Sequence, residues 1–355
     1  MVVDIKKVLE SNKAEIDAKI EEFIPKKLTR EAMEKICGKA RYAYDVETAS
    51  QCIHGPAWDL LSRGGKRWRP GLFLLSHEAF GGDAKKVMDF VLIPEVVHNG
   101  TLMIDDIEDD SALRRGQPCT HKKYGVDVAI NAGNAMYYLP LLALIKNKGK
   151  FPDAMLLKAY EVYSQEMINI SYGQGMDIWW HRGNKYDVSE QEYLQMCAYK
   201  TGTLARMSAK IGALLAGAND EQVEAIGKFA ETIGVAFQIQ DDILNLTGEE
   251  FAKGKGRGED IHEGKRTLMA IYCLSKADKK DAARLREILL QHPDDQKVID
   301  EAIAIIEKYG GIKYSAKRAE ELVEIAWKEL EPLVKQSPAK EALKAFAEYL
   351  IKRSI

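Results

Sequence analysis

Apolar residues along this chain recur at spacings of three and four. Val223, Ile226, Ala230, Ile233 and Phe237 make one such face, which is the spacing of an amphipathic helix. Alternating strand patterns and Asn-Gly hairpin signals are scarce. Breaker clusters cut the sequence into pieces of helical length: Gly81-Gly82-Asp83, Lys148-Gly149-Lys150-Phe151-Pro152, Arg182-Gly183-Asn184, Gln291-His292-Pro293 and Gly310-Gly311. At ~8–20 residues per helix the pieces predict about twelve helices. None of the clusters is long enough for an interdomain linker, and no repeat or low-complexity tract is visible. The expectation is a single all-α domain over residues 1–355. A chain of this length buries roughly 75% of its unfolded surface and needs neither disulfides nor a structural metal.

Charge and cysteine usage narrow the function classes. Lys plus Arg is 51 and Asp plus Glu is 54, a net charge of −3. That excludes a generally basic nucleic-acid binder while allowing a local basic pocket. Cys37, Cys52, Cys119, Cys197 and Cys273 are odd in number and contain no CxxC pair. They argue against a disulfide framework or zinc site and for a reducing, cytoplasmic setting. The N-terminal residues lack a signal-peptide apolar region. Residues 128–145 carry no charge but contain Asn131, Gly133, Asn134 and Pro140. They read as one or two buried helices rather than a membrane span.

Two acidic motifs end apolar helical segments. In Asp105-Asp106-Ile107-Glu108-Asp109-Asp110, five of six residues are carboxylates, and Asp105 and Asp109 share a helix face. In Asp241-Asp242-Ile243-Leu244-Asn245 the face Ile233, Phe237, Asp241, Asn245 turns from apolar to acidic. Stacked like charges repel, and a divalent cation would remove that cost. Carboxylate oxygens are hard ligands suited to Mg²⁺, which shares its shell with water and substrate phosphate. Neither motif has EF-hand spacing. A solvated acidic helix end explains one such motif, but two on apolar helices resist that reading. Cations are also supplied in groups. Gly64-Gly65-Lys66-Arg67-Trp68-Arg69-Pro70 is one, Arg114-Arg115-Gly116 another, and Lys200-Thr201 lies in a helical segment. Lys255 and Lys265 flank the stretch from Thr247 to Gly264, the longest irregular piece expected and a candidate lid. No GxxxxGK[ST] phosphate loop is present. Arg67 and Arg257 are expected to be partly solvated, and Trp179-Trp180 to pack in the core.

In order, GGKRWRP, DDIEDDSALRRGQPCTH, GQGMD, KTG, FQIQDDILN and GEDIHEGK resemble the trans-isoprenyl diphosphate synthases, and are most similar to geranylgeranyl diphosphate synthases of the eukaryotic type. The motifs cover roughly residues 64 to 270. The resemblance implies antiparallel helices around a central cavity (the isoprenoid synthase type I fold), commonly as a homodimer. It implies condensation of an allylic diphosphate with isopentenyl diphosphate using three Mg²⁺. Asp105, Asp109 and Asp241 would be the metal ligands, with Asp106, Asp242 and Asp260 supporting the metals and their water. Arg114, Lys200, Lys255 and Lys265 would contact the allylic diphosphate. Gly65, Lys66, Arg69, His98 and Arg115 would hold isopentenyl diphosphate. Gln174 and Asp177 match a less specific motif near the allylic site. The Lys200 carbonyl, Thr201 hydroxyl and Gln238 side-chain carbonyl would face the allylic cation.

Where the family commonly ends its second motif in Asp, this chain has Asn245; its carbonyl can still accept a hydrogen bond from metal-bound water. Gly100 and Thr101, one turn before Asp105, match positions where bulky aromatics stop growth at fifteen carbons. Both are small, so the tail is expected to pass. Tyr137 and Tyr138 match positions that floor the pocket for a twenty-carbon product. Another product length, a noncatalytic subunit of a heteromeric synthase and a class I terpene cyclase are the rivals. A cyclase binds one diphosphate and lacks GGKRWRP; a noncatalytic subunit tends to lose its acidic motifs. A helical Mg²⁺- or Ca²⁺-binding interaction protein is a more distant one.

Overall fold

The computed structural model describes residues 4–247 and 257–352. Among these residues it is all-α apart from a two-residue ladder, Leu113–Arg114 against Gln117–Pro118, and an isolated bridge between Lys148 and Phe151. The helices are α1 (Ile5–Phe23), α2 (Arg30–Cys37), α3 (Val46–Ala49), α4 (Gly55–Leu61), α5 (Trp68–Ala79), α6 (Leu92–Glu108), α7 (Thr120–Tyr124), α8 (Val126–Tyr138) and α9 (Leu142–Lys146). They continue as α10 (Asp153–His181), α11 (Glu190–Cys197), α12 (Thr203–Leu215), α13 (Asp220–Thr247), α14 (Glu259–His262), α15 (Leu268–Lys276), α16 (Lys279–Gln291), α17 (Gln296–Lys308), α18 (Gly311–Leu330) and α19 (Pro338–Lys352). The pieces missed by counting breakers are one-turn helices such as α3, α7 and α14, which carry too few residues for a periodic signal.

Each breaker cluster falls at a helix junction. Gly81, Gly149, Gly183 and Gly310 take φ of 86°, 81°, 79° and 74°, and His292 takes 48°. These are left-handed conformations that stop a helix. Side-chain caps start several helices: Asp4, Thr29, Thr267 and Asp295 each accept a backbone N–H from the first turn. Of the stretch from Thr247 to Gly264, residues 248–256 lie outside the described residues, and Glu259–His262 is helical.

The chain forms two compact units. One takes in residues up to Tyr163 with Met207–Val223 and Lys335–Leu343; the other takes in Ser164–Arg206, Glu224–Val334 and residues from Lys344 onward. In the first unit α6 is the central element. Ile93, Val96, Val97 and Met103 on it are fully buried, each stabilising by about 1.5–3 kcal/mol relative to exposure. Gly100 of α6 and Gly133 of α8 let these two helices touch. A Cβ at 100 would lie 2.9 Å from Met136 Cβ, and one at 133 would lie 2.8 Å from Ile104 Cδ1. The uncharged run is two helices joined by a 3-10 turn at Leu139–Leu141, with Pro140 inside it. By length and composition alone Val126–Lys146 could cross a membrane, and 39% of its most apolar window is buried. The expectation of burial is met on one face only: Ala129, Ala132, Met136 and Ala143 are covered, while Ile130, Tyr138 and Ile145 are exposed.

In the second unit α13 supplies Phe229, Ala230, Ile233 and Ala236 to the core, with the Phe229 ring 5.4 Å from that of Trp327 on α18. The stripe read from the sequence is buried at Ile226, Ala230 and Ile233 and opens at Phe237. Its next position on that face is Asp241, which is partly exposed.

Candidate active site

The first acidic motif occupies the last turn of α6. Asp109 is the C-cap and its N–H still bonds Asp105 O at 2.9 Å, so the helical i, i+4 relation holds. Asp110, with φ of 49°, ends the helix. Asp105 and Asp109 are both partly exposed. Asp105, Glu108 and Asp109 sit at the negative end of the helix dipole, with no basic residue in the turn; each such charge costs ~0.3–1 kcal/mol at a surface. Hard carboxylates held against repulsion and dipole fit a divalent cation. Among the described residues no three His, Cys, Asp or Glu side chains converge as a ready-made metal cage.

Asp106 departs from the expected metal shell. It is fully buried and accepts from Arg114 Nε at 2.8 Å and Nη2 at 2.5 Å. A helix turns ~100° per residue, so Asp106 cannot share the face of Asp105. It anchors Arg114, whose Nη2 also lies 3.6 Å from Asp105.

A second group of cations lies in the same unit. Arg69 is buried and stacks on Trp68 with its guanidinium carbon 4.2 Å from the ring centre. Its Nε has no partner. Burial pushes the Arg69 pKa down to about 10, against the pull of Glu95. Burial first, and then Arg69, Arg115, Arg114 and Arg67, hold His98 well below its ordinary value, so it is neutral among guanidinium groups. Gly65 packs against these cations: with φ of 145°, a Cβ there would lie 3.1 Å from Arg67 Nη1 and 3.5 Å from Arg115 Nη2. Expected diphosphate residues Gly65, Arg69, His98 and Arg115 therefore come together, and Lys66 is exposed at the same turn. Arg67 corrects the sequence reading. It is buried, pairs with Asp17 at 2.8 Å and Glu95 at 2.6 Å, and donates to Leu61 O at 3.0 Å. It ties the turn together, whereas Arg257 remains about half exposed.

In the second unit a cleft is lined by Asp177, Tyr193, Lys200, Thr201, Gln238, Asp242 and Lys265. The KTG segment sits in a π-helical turn, Ala198–Gly202, a distortion that frees backbone groups and recurs at functional sites. Glycines make that turn possible. A Cβ at Gly173 would lie 2.3 Å from Lys200 N, and one at Gly234 would lie 2.6 Å from Gly202 Cα. Lys200 Nζ pairs with buried Asp177 at 2.5 Å. Thr201 Oγ1 donates to Gln238 Oε1 at 2.8 Å, and Gln238 Nε2 donates to Asp242 Oδ1 at 2.8 Å. Tyr193 OH donates to Asp242 Oδ2 at 2.7 Å. Burial, then Asp260, pushes the Asp242 carboxyl up to about 7, against the hydrogen bonds from Gln238 and Tyr193. Asp241 is partly exposed on the neighbouring face. Lys265 lies 3.4 Å from Asp260 and also pairs with Glu263. Lys255 lies outside the described residues.

The expected chain-length residues separate. Tyr137 is half-buried with its Cε1 3.1 Å from a Cβ placed on Gly100, and Tyr163 OH donates to its carbonyl. Burial, then Glu108 and Asp105, raises the Tyr137 pKa, which puts its ring near the first acidic motif. Tyr138 is 69% exposed and cannot floor a pocket within this chain. Gly100 is a helix-contact residue, so a Phe there would first force α6 from α8. Thr101 is partly exposed and bonds His98 O at 2.8 Å. Of the two tryptophans expected in the core, Trp180 is buried and Trp179 is exposed.

The family model for polyprenyl synthetase matches residues 50–306. The chain belongs to the polyprenyl synthetase family. A short chain isoprenyl diphosphate synthase of Methanothermobacter thermautotrophicus is 37% identical over 294 residues, 83% of this chain and 88% of that one. A geranylgeranyl diphosphate synthase of Methanosarcina mazei is 33% identical over 355 residues, 99% of each chain. The crystal structure of geranylgeranyl pyrophosphate synthetase from Pyrococcus horikoshii Ot3 matches with a TM-score of 0.85 and 30% identity, covering 99% of this chain and 98% of that one. This polyprenyl synthetase thus has the all-α isoprenoid synthase fold and is a trans-prenyltransferase.

Several supporting residues of this polyprenyl synthetase carry no motif signal. Arg63 donates to Arg114 O at 3.0 Å and Pro118 O at 2.8 Å, holding the Arg114–Arg115 turn, and is itself paired with Asp59. Asn245 uses its side-chain oxygen to accept Asp260 N–H at 3.1 Å rather than facing outward. Tyr193 precedes Lys200 by seven residues and reads as an ordinary helical aromatic. Long-range partners of this kind leave no spacing to find.

Proposed function

We propose that this polyprenyl synthetase is a Mg²⁺-dependent geranylgeranyl diphosphate synthase, condensing an allylic diphosphate with isopentenyl diphosphate to a twenty-carbon product. The observation that carries the reading is the duplication of charge: acidic residues at two helix ends, and separate cation groups around His98 and around Lys200 and Lys265. One diphosphate would not need both groups. That favours a two-substrate transferase over a terpene cyclase, and both intact acidic motifs favour an active enzyme over a noncatalytic subunit.

In this reading Asp105, Asp109 and Asp241 would hold three Mg²⁺ at the allylic diphosphate, and Asp260 would support their water. When bound, Mg²⁺ acts as a Lewis acid on the leaving diphosphate oxygens. Arg114, Lys200 and Lys265, with Lys255, neutralise the rest of that group. Gly65, Lys66, Arg69, His98 and Arg115 hold isopentenyl diphosphate; neutral His98 donates a single N–H, while Arg69 and Arg115 carry the charge. As the allylic C–O bond breaks, the Thr201 hydroxyl oxygen, the Gln238 Oε1 and the Lys200 carbonyl turn the negative ends of their dipoles to the cation. The isopentenyl double bond attacks, and the released diphosphate takes the proton.

Relatives named geranylgeranyl diphosphate synthase support the product length, as does Tyr137 near the acidic motif. A homodimer is supported by the apolar stripe along α10: Leu157, Tyr160, Ile168, Tyr172 and Trp179 are each at least half exposed. Five free cysteines, three of them buried, support a cytoplasmic location. The test is incubation with Mg²⁺, isopentenyl diphosphate and each allylic primer, with chromatography of the dephosphorylated products. A twenty-carbon main product supports the reading, fifteen or twenty-five carbons corrects the length, and no elongation with any primer rejects it.

A further inference from the structure

We propose that Tyr193 is a positioning residue for prenyl transfer, acting through Asp242 to fix which end of the Gln238 amide faces the cleft. The proposal rests on the reading of Gln238 as a dipole that stabilises the allylic cation.

The Gln238 side chain has two ends of opposite polarity and nearly equal shape. Only the carbonyl end stabilises a cation; a flipped amide would present two positive N–H groups to it. The rotation that exchanges the ends is soft for a terminal amide. Its neighbours must therefore choose the orientation. Thr201 Oγ1 donates to Oε1 at 2.8 Å, but a hydroxyl can also accept and would tolerate the flipped amide. Asp242 discriminates in its ionised form, because Nε2 donates to its Oδ1 at 2.8 Å and an ionised carboxylate offers only acceptors.

Asp242 needs orienting in turn, since its carboxyl torsion is equally soft. Tyr193 does this. Its hydroxyl donates to Oδ2 at 2.7 Å, which turns Oδ1 toward Gln238. The phenol is 1% exposed, so no water competes for Asp242 from that side. The Tyr193 main chain is also fixed. Ser189 and Glu192 form a capping box at the start of α11, and Glu190 accepts from Tyr314 OH at 2.6 Å and Arg318 Nε at 2.8 Å on α18. The same short helix runs into the π-helical turn that carries Lys200 and Thr201. One rigid element thus sets Thr201 at one end of the Gln238 amide and, through Asp242, the partner at the other.

A residue that acts through another is exposed by a double-mutant cycle. Turnover would be measured for wild type, Tyr193→Phe, Gln238→Ala and the double variant, with KM for both substrates and thermal midpoints. Tyr193→Phe should lower kcat about tenfold, the scale of one hydrogen bond to a charged group, with each KM changed less than about twofold. In the Gln238→Ala background the same change should lower kcat less than about twofold, because the amide it orients is gone. Equal losses in both backgrounds, or no loss from Tyr193→Phe alone, would overturn the proposal and leave the role of Gln238 standing. A Gln238→Ala variant with normal kcat would reject that role and the proposal with it.

Should Tyr193→Phe fail to fold, Asp242→Asn supplies the second cycle. Its oxygen is claimed by the Tyr193 hydroxyl, so its NH₂ faces Gln238 and draws the amide round. Asp242→Asn should then lower kcat, and adding Gln238→Ala should cost less than about twofold more. Additive losses would again overturn the proposal.

Discussion

The side-chain oxygen of Asn245 accepts the backbone N–H of Asp260 at 3.1 Å. The Asn245 carbonyl accepts Gly258 N–H at 3.0 Å, so one residue fastens both ends of the turn leading into α14. Lys265 N–H then bonds Asp260 O at 2.8 Å. The Asn that departs from the family's usual Asp thus fastens Asp260, expected to support the metals, and through it Lys265, expected at the allylic diphosphate. Asn245→Leu should raise KM for the allylic substrate roughly 2- to 10-fold, the range for one neutral hydrogen bond, and leave KM for isopentenyl diphosphate unchanged. Asn245→Asp keeps the acceptor and should stay nearer wild type. Steady-state kinetics decide, and an Asn245→Leu enzyme with normal allylic KM would rule the fastener out.

Asp105→Ala and Asp241→Ala should each reduce turnover by at least ~10²-fold, the scale of one strong electrostatic stabiliser. Asp105→Ala removes a charge at the unfavourable end of α6. In EDTA its thermal midpoint should therefore equal or exceed that of wild type. Near-normal turnover of both variants at saturating Mg²⁺ would contradict the metal assignment.

The two cation groups predict separable kinetics. Arg69→Ala should mainly raise KM for isopentenyl diphosphate, and Lys265→Ala should mainly impair the allylic substrate. A charged hydrogen bond is worth ~1.5–3 kcal/mol, roughly 10- to 150-fold. Varying each substrate in turn tests this; identical effects of the two changes on both substrates would argue for a single anion site.

Product length should respond to one tyrosine. Tyr137→Ala is expected to shift some product to twenty-five carbons, whereas Tyr138→Ala should leave the product unchanged, because Tyr138 is exposed. Gly100→Ala should destabilise instead, by about 1–3 kcal/mol of overpacking against Met136. Chromatography and thermal melts read the two effects. An unchanged product from Tyr137→Ala would remove the floor role.

Acid should destabilise the fold through buried histidines. Burial lowers the pKa of His54 and His77 from 6.5, against hydrogen bonds to Pro25 O and Gly212 O. Above pH 6.5 both are neutral folded and unfolded, so they contribute no slope. As pH falls through 6.5 the unfolded chain takes up protons that the folded chain does not, and stability drops until the lower folded values are reached. Two such groups give up to about 2.7 kcal/mol per pH unit. Urea midpoints from pH 7.5 to 5 should fall, and a His54→Gln/His77→Gln variant should give a flatter profile. Parallel profiles would show that other groups dominate.

The sequence reading reached the all-α class because helix stops are local: a left-handed Gly or His292 is visible without its neighbours. It placed Gly65, Arg69, His98 and Arg115 in one group, and they do lie near one another in the fold. It failed where orientation depends on burial. Asp106 and Asp105 are adjacent letters, yet one faces Arg114 inside and the other is partly exposed. Arg67 and Arg69 sit two apart in one motif; Asp17 and Glu95, distant in sequence, claim Arg67. Tyr137 and Tyr138 differ only by the helical turn between them. Partners of that kind exist only once the chain has folded.

Gly173, Gly202 and Gly234 bring backbone against backbone around the KTG turn, with the Glu231 side chain also 3.1 Å from a Cβ placed on Gly202. Main-chain contacts cannot be loosened by a rotamer change or retuned by a conservative swap. For an engineer this divides the protein unevenly. Libraries that alter the tail floor at Tyr137 work on exchangeable side chains and should return many folded variants. Libraries that touch these three glycines should return almost none, and a redesigned cation site will have to keep this scaffold as inherited.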